Sequence, residues 1–346
     1  MNTKSPIVQG TGILLLASVF WGLGNALVGL TAQKYLVSGS SFPAIDIALA
    51  NTLGGVFFIT IWHIIKAKST NSTNESLSIK QTISHYFHNK KALFGGALKG
   101  ANTSLFVLSA TYIMATQAVV FESTYIVWSL IFAIIFYMRK VPIVSSVLKA
   151  ALIFTGVILV SGQTTWHITS EYFSFGAIFG LLAGVTYASY LLFWSFVSKD
   201  LGDPESQCVS TIFLLLIAFV TIIVFSEIVG LVLLHKLRVP FSSLEFGDML
   251  LQFFNGVMVM GIVYLLVTIG MNKVKRAREG ANYIAAICLS FSIPFTLFIE
   301  FLVGKFMPTW LQLIGLLFFM IGFILMSITL SNNTADNDGA LKTKRS

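Results

Sequence analysis

Ten apolar stretches run through this chain, at approximately residues 11–30, 43–65, 92–115, 117–138, 143–161, 175–197, 208–233, 247–270, 280–303 and 307–330. Each is long enough to cross a hydrocarbon core of roughly 30 Å. Lipid offers no water to backbone amides, so a crossing segment must satisfy its own hydrogen bonds, and a helix does this internally. The alternation over about ten residues that barrel strands need is absent. The sequence therefore predicts an all-α polytopic membrane protein. Composition agrees: 10% of residues are charged, against about 25% in a soluble domain. The net charge of +8 does not point to nucleic acid, because the basic residues sit between apolar stretches rather than on one face. The first stretch carries Trp21 and Asn25, lacks a small-x-small cleavage site and is read as a true span rather than a signal peptide.

Lysine and arginine set the expected direction. With the N-terminus inside, 16 fall on the cytoplasmic side and four (Lys34, Lys236, Arg238, Lys305) outside, so both termini are expected in the cytoplasm of a cell-membrane protein. The chain also repeats itself weakly at a constant offset of 166 residues. Leu15-Leu16-Ala17-x-Val19 recurs as Leu181-Leu182-Ala183-x-Val185, and the same shift carries Pro142 onto Pro308 and Gly156 onto Gly322. Two units are predicted, 9–161 and 175–330, followed by a disordered tail over 331–346. Five spans is an odd number, so the second unit enters from the opposite side. The reading is thus ten transmembrane helices as two inverted five-helix repeats, an arrangement that supplies the two mirror-related states of alternating access.

Local motifs add a resemblance. Ala17-Ser18-Val19-Phe20-Trp21-Gly22 in the first span, Leu181 to Ala188 in the sixth, Glu279-Gly280-Ala281-Asn282 before the ninth, and Gly156-Val157-Ile158-Leu159 with Gly322-Phe323-Ile324-Leu325 in the closing spans are similar to the drug/metabolite transporter superfamily. Within it the chain resembles the EamA-type carriers, over about residues 9 to 330. The usual Gly-Glu pair closing the fourth span is replaced by Tyr137-Met138-Arg139-Lys140, and no proline interrupts that span. The resemblance implies a substrate cavity lined by the first, third, fourth, sixth, eighth and ninth spans.

Trp21, Asn102, Trp128, Tyr187 and Ser290 each lie about ten to twelve residues into their spans, near the midplane at 1.5 Å per residue, with Asn255 slightly outward. These are the candidate substrate-binding residues; helix packing alone is the alternative, since polar side chains commonly bond across membrane interfaces. Glu122 lies roughly 8 Å inside the fourth span, where an ionisable group is functional by default. It is read as a substrate ligand or a coupling carboxylate for a proton or ion, or else as a structural pair. Lys99 is its possible charge partner from the third span, and otherwise snorkels or meets an anionic substrate group. Asp46, Glu227 and Glu300 are expected as solvated rim residues near the outer boundary. Tyr125, Trp128, Tyr187, Tyr190 and Trp194 raise a cation–π site for choline or another organic cation.

The expected function is secondary transport of a small organic metabolite, amino-acid-like or similar, by alternating access and in the export direction. No P-loop, metal spacing or cofactor motif occurs, and Cys208 and Cys288 lie in separate apolar stretches. A membrane-embedded enzyme would need a GxGD, HExxH or serine–histidine signature, and none appears. A non-transporting receptor or scaffold would leave the midplane polar residues to packing alone. The partners expected are therefore a small-molecule substrate and the bilayer, without nucleic acid.

Overall fold

The computed structural model describes residues 6–37, 43–69, 89–137, 143–160, 171–198, 204–234, 239–275, 288, 290–304 and 307–343. The polar segment 70–88 and the Glu279–Asn282 motif lie outside these residues, as does the side chain of Trp194. Every regular element among the described residues is a helix: α1 Pro6–Val37, α2 Pro43–Ser69, α3 Lys90–Tyr112, α4 Ala115–Glu122, α5 Tyr125–Tyr137, α6 Ile143–Val160, α7 Glu171–Ser198 and α8 Pro204–Leu234. The rest are α9 Phe246–Gly256, a π-helical stretch Val257–Ile262, α10 Val263–Lys275, α11 Ser292–Gly304 and α12 Trp310–Thr343.

Among the described residues six segments are long and apolar enough to cross a membrane: Val8–Tyr35, Pro43–Ile65, Ala115–Phe132, Phe175–Phe193, Ser210–Ile228 and Phe246–Met271. Shorter apolar helices occupy Val144–Val160, Ser292–Val303 and Trp310–Met326. Apolar side chains also face outward, with Trp310, Val144 and Leu148 exposed by 81%, 77% and 64%. Water does not reward such a surface, whereas lipid does.

Two breaks shape the centre. Ile113 and Met114 are both extended (φ −131°, ψ 171° and φ −63°, ψ 149°), which turns the chain from α3 directly into α4. The stretch 117–138, expected as one span, is interrupted at Ser123 and Thr124. There the Thr124 hydroxyl donates to the Phe121 carbonyl at 2.7 Å, the competition with the helical ladder that short hydroxyl side chains offer. Gly184 of α7 lies against the break, where a Cβ would come within 2.9 Å of the Glu122 carbonyl oxygen. The second close approach joins α2 to α9: a Cβ on Gly256 would sit 1.9 Å from the Asn51 carbonyl oxygen. Only glycine permits backbones that near.

Helix α3 packs on α7 and α8, α2 on α8 and on α9 with the π-helical stretch, and α1 on α10 and α11. Helices α6 and α12 pair with each other at the margin. Helix α12 runs on to Thr343, where a disordered tail is expected after Leu330. Extending an existing helix adds one hydrogen bond per residue with no new nucleation cost.

Two carboxylates expected on a solvated rim are instead buried and capping. Asp46 has 0% exposure and accepts from the backbone N–H groups of Phe241 (3.1 Å) and Ser243 (3.0 Å). It thereby holds the α8–α9 connection, in which Phe241 adopts a left-handed φ of 65°. Glu300, 4% exposed, accepts from the N–H groups of Ala115 (2.7 Å) and Thr116 (3.0 Å) and from the Thr116 hydroxyl. These are the first donors of α4, which a helix cannot satisfy internally.

Candidate functional site

A cavity of about 540 Å³ lies among α1, α3, α4, α7, α10 and α11. Six of the seven candidate binding residues line it: Trp21, Asn102, Glu122, Tyr187, Asn255 and Ser290, with Lys99 beside them. Trp128 does not. Depth alone selects it; on α5 it follows Glu122 by six residues, which at 3.6 residues per turn carries it about 120° around from the Glu122 face. Its indole nitrogen is buried with no hydrogen-bond partner among the described residues.

The charged pair forms no direct ion pair. Lys99 is 8% exposed, and its ammonium donates to Asn102 Oδ1 at 3.3 Å. Asn102 Nδ2 in turn donates to Glu122 Oε1 at 2.8 Å and to the Ala183 carbonyl at 3.1 Å. Helix α3 supplies both Lys99 and Asn102, one turn apart, while Glu122 ends α4 at the break. The ammonium lies 5.2 Å from the Tyr187 ring centroid and 5.8 Å from that of Tyr190, close enough for cation–π attraction. Tyr125 packs edge-on against Tyr187 with centroids 4.8 Å apart. Lys99 thus points into the cavity and does not snorkel outward.

Asn255 donates to the Gly24 carbonyl at 3.2 Å, while its own Oδ1 is buried without a partner among the described residues. Next to it Gln252 donates to Thr31 Oγ1 (2.7 Å) and accepts from Asn51 (2.9 Å), joining α1, α2 and α9. Farther along α1 the exposed Lys34 pairs with Glu245 and Asp248, each at 2.9 Å, and the Tyr35 hydroxyl donates to Asp248 at 2.6 Å. The lining extends no farther than Val28 on α1 and Asn51 on α2 towards this end, but reaches Thr268 and Met271 on α10 in the opposite direction. One end is laced by polar contacts, and the cavity lining extends towards the other.

Sequence reasoning missed Asn51, Tyr264, Thr268 and Ser210 as lining residues. Tyr264 and Thr268 share the cavity-facing stripe with Asn255, Val259, Val263 and Val267, so helical spacing from Asn255 was the available signal.

No protein-family model matches the chain, and no curated protein matches it. A solved structure described only as "Crystal structure of protein" has a similar fold, with a TM-score of 0.54 over 94% of this chain and 99% of that one. At 14% identity the likeness is one of fold alone.

Proposed function

We propose that this chain is a secondary carrier of the EamA type, moving a small organic metabolite out of the cell by alternating access. The observation that carries this reading is the central cavity, which holds a buried ammonium and a carboxylate and is bounded on one side by a polar clamp. A scaffold has no use for two buried charged groups that form no ion pair beside a hollow core, because burying charge is costly.

The packing pattern supports ten spans arranged as two inverted halves. Exchanging the halves turns the α1 contacts with α10 and α11 into the α7 contacts with α3 and α4. It likewise turns α2 against α9 into α8 against α3. Each half also contributes an asparagine that donates to a backbone carbonyl of the other half's first helix: Asn102 to Ala183, and Asn255 to Gly24. The 166-residue offset relates Trp21 to Tyr187, and both line the cavity. With both termini cytoplasmic, Thr268 and Met271 lie towards the cytoplasm, and the Lys34 clamp faces outside. The tyrosine cluster gives little room to an organic cation such as choline, since Lys99 already covers two of its faces.

Cysteine accessibility tests the mechanism, in a background lacking Cys208 and Cys288. Thr268→Cys is expected to react with a membrane-impermeant maleimide from the cytoplasmic side only, and Val28→Cys from neither side. Adding Asp248→Ala removes the acceptor shared by Lys34 and Tyr35 and is expected to open Val28→Cys to the outside at least threefold faster. Equal reactivity of Val28→Cys with and without the clamp overturns the gating assignment.

A further inference from the structure

The central cavity separates two packed groups of helices. On one side α1 packs on α10 and α11, and on the other α3 and α4 pack on α7. The groups meet at the corner where α3 turns into α4. There Gln33 of α1 donates to the Ile113 carbonyl at 3.1 Å, and a Cβ on Gly29 would lie 2.6 Å from that of Ala115. Glu300 of α11 reaches the same corner and accepts from the N–H groups of Ala115 and Thr116 and from the Thr116 hydroxyl. These residues lie within about two turns beyond the cavity lining, which ends at Val28 on α1, Val119 on α4 and Ile293 on α11. The corner therefore roofs the cavity at the end that carries the Lys34 clamp.

We propose that Glu300 is the latch of the outer gate: its carboxylate holds α4 onto α11 while the cavity faces the cytoplasm, and parting from α4 opens the outer route. This inference rests on the carrier reading above and adds a positioning residue to it. A helix that needed only a cap would carry one locally, since Ser, Thr, Asp or Asn at the N-cap binds the first N–H groups permanently. Helix α4 has Met114 there, with no side-chain cap bond, and takes its acceptor from the opposite group of helices. Its cap therefore exists only while the two groups are closed. With Glu300 4% exposed, these bonds meet no competing water, and bonds to a charged acceptor are roughly twice as strong as neutral ones. Once the corner parts, water takes over both the donors and the carboxylate, so release leaves no buried group unpaired. Helix α4 also carries Glu122 at its other end, about 10 Å away at 1.5 Å per residue. A shift at the site carboxylate thus reaches the latch through one unbroken helix.

The test is labelling of the full chain by an impermeant maleimide in right-side-out and inside-out vesicles, in the background lacking Cys208 and Cys288. Val119→Cys reports the cavity beneath the corner, and Thr268→Cys its cytoplasmic end. Glu300→Gln, which weakens the cap without emptying its place, is expected to raise labelling of Val119→Cys from outside about fivefold. The same variant is expected to lower labelling of Thr268→Cys from the cytoplasm, because the inward-facing population shrinks. Thr116→Val removes one latch bond and is expected to shift both rates in the same directions to a smaller extent. Ile153→Ala opens a hole against Gly322 of α12 and is expected to lower the unfolding midpoint while changing neither rate. Should Glu300→Gln fail to fold, Thr116→Val decides the matter. Labelling that rises at both positions, or at neither, overturns the latch and leaves the carrier reading intact. A rise at Val119→Cys with Thr268→Cys unchanged keeps Glu300 as the outer gate and overturns alternating access, since such a route stands open at both ends.

Discussion

Replacing Glu300 with alanine is expected to lower stability by about 3 kcal/mol, because two buried backbone N–H groups and a hydroxyl lose their acceptor together. Helix α4 begins in the protein interior two residues after α3 ends, and its N-cap residue Met114 makes no side-chain cap bond. Locally, the Met114 N–H donates to Gln117 Oε1 at 3.2 Å, which leaves the Ala115 and Thr116 N–H groups to Glu300. Ala115 and Thr116 therefore depend on a carboxylate from α11, near the far end of the sequence. An anion at a helix N-terminus also meets the positive end of the macrodipole. Glu300→Gln keeps one acceptor oxygen but adds an amide facing donors, so an intermediate loss is expected. Thr116→Val removes the hydroxyl alone and costs about 1 kcal/mol. Thermal unfolding in detergent reads the series, with a fall of about 6 °C or more for the alanine variant. An unchanged midpoint would mean that water replaces the carboxylate, and the cap would be incidental.

The same contact marks where legibility ended. Counting along the apolar stretches gave Trp21, Asn102, Tyr187 and Ser290 one expected height, with Glu122 and Asn255 farther outward, and all six line one cavity. Counting works because a straight helix converts residue number into height at a fixed rate. It failed in azimuth at Trp128, which follows Glu122 by six residues and so lies about 120° around the helix from it, a difference that depth does not register. It failed for Asp46 and Glu300 for another reason. Height alone put them at a boundary, but their partners lie 184 to 197 residues away in sequence. The Asn102 bridge was likewise hidden. Lys99 and Glu122 differ in expected backbone height by roughly 11 Å. That the amide between them closes the gap depends on how α3 and α4 pack, which sequence spacing does not encode.

Neutralising both charges is expected to be milder than neutralising either. Lys99→Met leaves Glu122 as a carboxylate bonded to a neutral amide, with no cation near it. Glu122→Gln leaves Lys99 over two tyrosine rings without its anion. Removing one member of a buried pair costs about 3–5 kcal/mol when the pair is fully buried, and about half of that is expected here because Glu122 borders the open cavity. In the double variant the Asn102 nitrogen still donates to the side-chain amide oxygen introduced at position 122, and no uncompensated charge remains. The double variant should therefore unfold later than both singles, giving a coupling energy of about 2 kcal/mol of opposite sign to the single losses. Substrate binding should not follow stability. It is expected to fall in the double variant, since both charged groups lining the cavity are gone. This split separates the two roles of the pair, because a purely structural pair would recover binding together with folding. Strictly additive losses in the melting experiment would show that the two charges do not sense each other through Asn102. The site would then have two independent poles rather than one polarised bridge.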